Sequence, residues 1–226
     1  KYWALSEKQD FHVIPTDTIS ISIDKDAVLR SGIMLPDSIR HLKGKELKNA
    51  IPDKIYISLK DMRILTKVDM LMLEMLANCN WERPLYMAIS VGEVSKLKFD
   101  HYFVQEGLAF RFTPFDYKKW GNVKGDNNYA IDVERLYENV MNRYKYGGLD
   151  TPGLYLDETT LRTCYYHRRL FAQLAKELIR QGDNTRARKV LAYAEQAVPA
   201  YNVPEIYESG SFDIAKAYAA LGEKTK

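Results

Sequence analysis

Cysteine is nearly missing from the chain, with only Cys79 and Cys164 among 226 residues. Two thiols permit one disulfide and cannot build a structural zinc site alone. Both fall in segments of helical spacing beside apolar neighbours, so buried free thiols are expected rather than a disulfide, and the compartment is not legible from them. Long apolar runs are absent too, and nothing approaches the roughly 20 residues of a membrane span. The chain starts at Lys1, with neither an initiator methionine nor a signal-peptide pattern, and is expected to be an excised soluble piece of something longer. A net charge of +3 lacks the dense basic excess of a nucleic-acid binder, so no nucleic-acid partner is expected.

Catalytic spacings are missing as well. His12, His41, His101 and His167 are scattered, and the sequence has no HExxH pair, no GxSxG elbow and no phosphate-binding glycine loop. No catalytic residue, metal ligand or cofactor is therefore assigned, and this piece is not expected to be an enzyme by itself. Asp24 and Asp26 suit the start of a helix better than a metal. An acid pair drawn from distant segments, Glu106 with Asp157, is the remaining catalytic alternative.

What is present is ample apolar material. Hydrophobic residues make up 46% of the sequence, enough for one large domain or two small ones with real cores. Thr18 to Ile23 alternates strictly, placing Ile19, Ile21 and Ile23 on one face of a half-buried strand. Asp24 suits the N-cap of a short helix from Lys25 to Arg30 that Gly32 ends. Lys54 to Lys60 is a second alternating strand. Thr66 to Asn78 is a helix with a wide stripe of Met70, Leu71, Leu73, Met75 and Leu76. Arg83 to Val91 is apolar on both faces, and Tyr102 to Pro114 is a further extended segment broken by Gly107. Strand, helix, strand in that order predicts a right-handed parallel crossover in a small mixed sheet, an α+β or α/β layer over residues 1–115.

The link from Phe115 to Tyr129 is polar, with Gly121, Gly125 and consecutive asparagines, and residues 116–131 read as a surface loop. Residues 132–226 then read as a helical domain. Asp132 to Tyr144 has Val133, Leu136, Tyr137, Val140 and Met141 on one face, and Gly147 with Gly148 stops it. Asp157 caps a long helix. Within Arg168 to Pro199 the apolar positions Leu170, Phe171, Leu174, Ala175 and Leu178, then Ala187, Val190, Leu191 and Ala194, give one buried face on each of two helices joined at Gly182. Phe171, Leu174, Ala175, Leu178, Gly182, Ala187, Leu191, Ala194 and Pro199 resemble, in order, the large, small and turn positions of the tetratricopeptide repeat. Ala175, Ala187 and Ala194 let two helix axes approach closely. After an insertion at Asn202 to Tyr207, Ser211 to Gly222 repeats the first-helix phase, so a partial second repeat spans 208–222, followed by a frayed polar tail.

A second resemblance rests on NWERPLYMA at Asn80, YFVQEGLAFRFTP at Tyr102 and YENVMNRYKYGGLDTPGLYLDE from Tyr137 to Glu158. Together with the repeat, these are similar to the soluble C-terminal region of a family of large bacterial multi-spanning membrane proteins that resemble glycosyltransferases using lipid-linked sugars. The resemblance implies a domain on the periplasmic face of the cytoplasmic membrane, partnered by the membrane-embedded part of the same polypeptide and facing a protein or glycan acceptor. Sugar transfer is implied for the parent protein, with its acidic residues outside this piece.

The candidate interaction residues follow from local chemistry. Tyr146, Asp150 and Tyr155 lie on the glycine-proline loop Tyr146 to Leu156, where aromatic side chains offer contact area at little ordering cost. Trp81 and Arg83 lie at the helix-to-strand corner, where the bland reading has Trp81 covering a helix end and Arg83 pairing with a carboxylate such as Glu106. The function expected is that of a non-catalytic interaction scaffold. Two alternatives remain: a carbohydrate-binding or weakly hydrolytic domain, and a membrane-surface binder. The latter rests on eight basic residues against two acidic ones between Arg162 and Lys189.

Overall fold

Alternation in TISIS and KIYIS sends every isoleucine to one side, and such strands are stable only when that side is covered. They pair with each other: β1 (Thr18–Ser22) runs antiparallel to β2 (Lys54–Ser58), with Ile19 opposite Ile57 and Ile21 opposite Ile55. Ile21, Ile55 and Ile57 are buried. The computed structural model describes residues 16–60, 64–91, 97, 99–123 and 129–223. Lys1, His12, Gly125 with the two asparagines after it, and the end of the polar tail lie outside them.

Between these strands come α1 (Lys25–Arg30) and α2 (Gly44–Ala50). The Asp24 carboxylate accepts from the amides of Asp26 and Ala27, closing the start of α1 as its sequence predicts. No residue of α2 is buried, so it has no apolar stripe by which a sequence could announce it. α3 (Lys67–Asn78) starts on a capping box in which Thr66 and Asp69 exchange hydrogen bonds, and it buries Asp69, Leu73 and Leu76.

The chain groups into two units. The first comprises residues up to Leu85 with Gly92–Tyr102 and Thr113–Asn122. The second takes Tyr86–Val91, Phe103–Phe112 and everything from Val123 onward. This division is interleaved; the boundary expected from composition lies in a surface loop at 116–131. Phe115 and Tyr117 are fully buried at the start of that expected surface loop, and the Tyr117 hydroxyl bonds to the Met34 carbonyl at 2.5 Å. Their burial follows from large rings in a largely polar stretch, and Phe115 also meets the ring of Trp120 at a centroid distance of 6.1 Å.

A second correction concerns topology. No parallel crossover runs through α3, because β2 is paired with β1, while β3 (Tyr86–Ala88) belongs to a separate sheet of order β3, β5, β4, β6. In that sheet β4 (Phe103–Gln105) and β5 (Ala109–Phe112) form an antiparallel hairpin turned at Gly107, β3 flanks β5, and β6 (Ala130–Ile131) runs parallel to β4. Isoleucine faces isoleucine across β1 and β2, and that cross-strand packing outweighs what three-residue β3 could offer.

The second unit continues through α4 (Val133–Glu138), a π-helical turn at Asn139–Arg143, then α5 (Glu158–Arg180), α6 (Asn184–Ala197) and α7 (Ser211–Ala220). Asp157 accepts from the amides of Thr159 and Thr160 at the head of α5, and Asp183 does the same for Arg186 in α6. The core joins Leu170, Phe171, Leu174, Ala175 and Leu178 of α5 to Ala187, Val190, Leu191 and Ala194 of α6, with Leu136 and Val140 packed in. α7 lies against α5 through Gly210, where an added Cβ would sit 2.9 Å from the Arg169 side chain and 3.1 Å from its backbone. The fold is therefore α+β: small sheets and a C-terminal helical region.

Candidate functional site

The loop from Tyr146 to Leu156 is pinned from beneath. Asn202 is buried, and its amide donates to the carbonyls of Leu149 at 2.7 Å and Thr151 at 2.6 Å while its oxygen accepts from the Leu154 amide at 3.3 Å. The Tyr201 hydroxyl donates to the Asp150 carbonyl at 2.6 Å. Leu149 plugs into the core. One side chain thus satisfies three backbone groups that a glycine-proline loop cannot pair internally. Tyr155 emerges from this frame 92% exposed.

The three loop residues serve different ends. Tyr146 turns inward: its hydroxyl donates to the Val140 carbonyl at 2.7 Å, and its ring meets His167, Phe171 and Tyr193 at centroid distances of 5.2, 5.6 and 6.0 Å. Burial there pushes the phenol pKa far above its ordinary value. Asp150 gives its backbone oxygen to Tyr201 and keeps its side chain on the exposed surface. Tyr155 alone of the three offers a ring to solvent.

The corner after α3 has another character. Asn80 and Trp81 have φ of 49° and 61°, left-handed values that cost non-glycine residues about 1–3 kcal/mol each. Trp81 is buried, and its indole N–H donates to the Ser22 carbonyl at 2.9 Å, which anchors the turn. Arg83 is exposed. Trp81 and Arg83 belong to the first unit and the tyrosine loop to the second.

Glu106 has partners other than Arg83. Its carboxylate accepts from the Tyr86 hydroxyl at 2.8 Å and the Arg135 guanidinium at 3.2 Å, and Arg111 lies 3.6 Å away. Burial, then the bond to Glu106, raises the Tyr86 pKa. The Glu106 backbone carbonyl accepts from Asn139 at 2.6 Å, and the Tyr144 hydroxyl accepts from the Leu108 amide at 2.9 Å, so the π turn grips the hairpin. A carboxylate held by two cations and a phenol is a structural lock rather than an acid or base waiting for substrate. Asp157, its suggested catalytic companion, is engaged as a helix cap.

The basic stretch is similarly occupied. Arg162 pairs with Glu158, Arg180 with Glu177, Arg188 with Glu223, and Arg186 with both Glu134 and Asp183. Arg168 is buried and donates to the carbonyls of Val198, Val203 and Pro204, clasping the chain beyond α6, and burial lowers its pKa. Most of the apparent charge excess therefore serves the fold. Arg168 and Asn202 are the positions that sequence reasoning missed: neither sits in a repeating pattern, and each acts only on a segment far along the chain.

Cys164 is a buried free thiol and Cys79 a half-buried one. Among the described residues no cluster of His, Cys, Asp and Glu could hold a metal ion, and no helix is long and apolar enough to cross a membrane.

A family model described as TMEM260-associated domain 2 matches residues 1–134. That span covers the first unit and the sheet of the second, and it ends as α4 begins. Neither a curated protein nor a solved structure matches the chain.

Proposed function

Since the chain belongs to the TMEM260-associated domain 2 family, we propose that it is the extracytoplasmic domain of a glycosyltransferase-like membrane protein and presents a docking surface for that protein's partner or acceptor. In this reading the membrane-embedded part of the polypeptide transfers sugar on the periplasmic face, and this domain contributes no catalytic group. Transfer from a lipid-linked donor requires the donor phosphate and the reacting carbon to be held by groups near the bilayer. Glu106 and Asp157, the acids considered for independent chemistry, are both engaged in the fold. The helical region has the role of a tetratricopeptide-like scaffold, with α5 and α6 as one repeat and α7 as the start of the next.

The observation that carries the proposal is Tyr155, fully presented on a loop that Asn202 and Tyr201 hold rigid. A preorganised aromatic binds without the cost of ordering its loop. Tyr155→Ala in the full-length protein is expected to lower partner capture or sugar transfer at least several-fold, with the thermal midpoint of this domain unchanged. Tyr146→Ala is expected to lower that midpoint instead. Wild-type capture and transfer with Tyr155→Ala would remove the docking role.

A further inference from the structure

A cleft of about 600 Å³ lies within the second unit between α5, α7 and the end of β4. Its lining has three chemical features, and each points to a different part of one ligand.

The first is charge held in readiness. Arg169, Lys176 and Lys216 line the cleft against the single carboxylate of Asp213. Arg169 is oriented by the Glu208 carbonyl, its Nε at 2.8 Å, and lies 5.7 Å from the Tyr166 ring centroid. The Lys216 ammonium sits 4.3 Å from the centroid of Phe212. Carbonyls and rings position a cation without neutralising it, so the positive charge at the cleft is positioned and still available to an anion.

The second is an acceptor lacking a donor. Gln105, on inner strand β4 and fully buried, gives its amide N–H to the Gly107 carbonyl at 3.2 Å, while its Oε1 has no partner among the described residues. An unsatisfied buried acceptor costs about 1–3 kcal/mol. A hydroxyl entering the cleft would satisfy it. A simple carboxylate could not, having acceptors only where a donor is required. The third feature is a flat ring: Tyr129 lines the cleft and is braced by Phe110 at a centroid distance of 4.6 Å. Braced aromatic faces stack on the C–H side of pyranose rings.

Hydroxyl donors, an aromatic platform and an anion contact meet in one ligand class. We propose that this cleft binds an acidic saccharide, a sugar bearing a carboxylate or a phosphate. The proposal does not rest on the docking role of Tyr155, which lies on a different loop.

Calorimetric titration of the full chain with four probes tests it. Glucuronic acid and glucose 6-phosphate carry the two sources of charge, and glucose and inorganic phosphate carry each half alone. At least one charged sugar is expected to bind ten times or more tightly than both glucose and phosphate, and which one does so identifies the anion. Lys176→Ala combined with Lys216→Ala, both exposed positions, should weaken that binding at least tenfold while leaving the far-ultraviolet spectrum and thermal midpoint unchanged. Tyr155→Ala should not affect it. Charged sugars that bind no better than phosphate, tighter binding of a polyglutamate peptide, or full binding by the double lysine variant would each overturn the assignment.

Discussion

Helices α3 and α5 begin alike and end up with different surroundings. Both start on a side-chain cap, Thr66 with Asp69 in one and Asp157 in the other, and both carry apolar residues at helical spacing. In α5 Leu170, Phe171, Leu174 and Leu178 are buried to 1% exposure or less. In α3 Met70, Leu71 and Met75 remain 48, 55 and 58% exposed, and only Leu73 and Leu76 go in with Asp69. Charged residues on the outer side of α5, among them Arg162, Lys176 and Arg180, leave one face eligible for burial. The stripe of α3 is so wide that nothing in it selects a face, and the capping box, which draws Asp69 inward, sets the rotation. An apolar stripe thus counts candidates for a core, and it is the polar residues that decide among them.

The comparison is tested most severely at Leu174. Leu174→Ala should destabilise the second unit by about 2–5 kcal/mol through lost burial and a cavity that collapses only partly. Urea unfolding followed by circular dichroism measures this, and a loss under 1 kcal/mol would mean that the dense side of α5 packs loosely. The caps should behave alike on both helices. Asp157→Ala and Thr66→Ala are each expected to cost about 1 kcal/mol, since each removes hydrogen bonds to first-turn amides whatever the helix faces later. Unequal losses would show that tertiary packing, not the cap, holds one of the two starts.

Acid should separate the helices further. His167 on α5 is packed against the rings of Tyr144 and Tyr146, its Nδ1 has no partner among the described residues, and burial lowers its pKa. The unfolded chain, with an ordinary histidine near 6.5, therefore takes up a proton before the fold does. The contribution is complete above about pH 6.5 and is lost as pH falls from there toward the lower folded pKa. Melting of the second unit should show this loss on acidification, and His167→Phe should flatten it; an unchanged slope would assign the effect to other groups. The smallest effect is expected on the open side of α3, where Met75→Ala should change stability by no more than about 0.5 kcal/mol. A loss comparable to that at Leu174 would mean that this side is covered in solution.

Legibility in the sequence followed the same division. The hairpin of α5 and α6, the pairing faces of β1 and β2, and the bounds of α1 could be read because period, caps and glycine stops agreed with one another. The sheet topology could not. Whether β2 turns to β1 or to β3 depends on side chains meeting across the ladder, and local spacing has no record of that. α2 buries nothing and gave no signal. For the candidate surface, exposed Tyr155 and inward Tyr146 look alike on paper, because both are tyrosines in one glycine-rich loop. Asn202, which separates their roles by fastening the loop, stands 47 residues beyond Tyr155.

The π turn at Asn139–Arg143 fits one more residue into its loop than an α-helix would, and it delivers Tyr144 to the Leu108 amide. An added Cβ at Gly107 would stand 2.0 Å from that same hydroxyl, so ring and glycine occupy one space by agreement. An extra residue inserted within 139–143 would rotate Tyr144 by about 100° off its target, given 3.6 residues per turn. Length in this segment is thus a form of information. The count of residues, as much as their identity, aims the bolt that closes the hairpin.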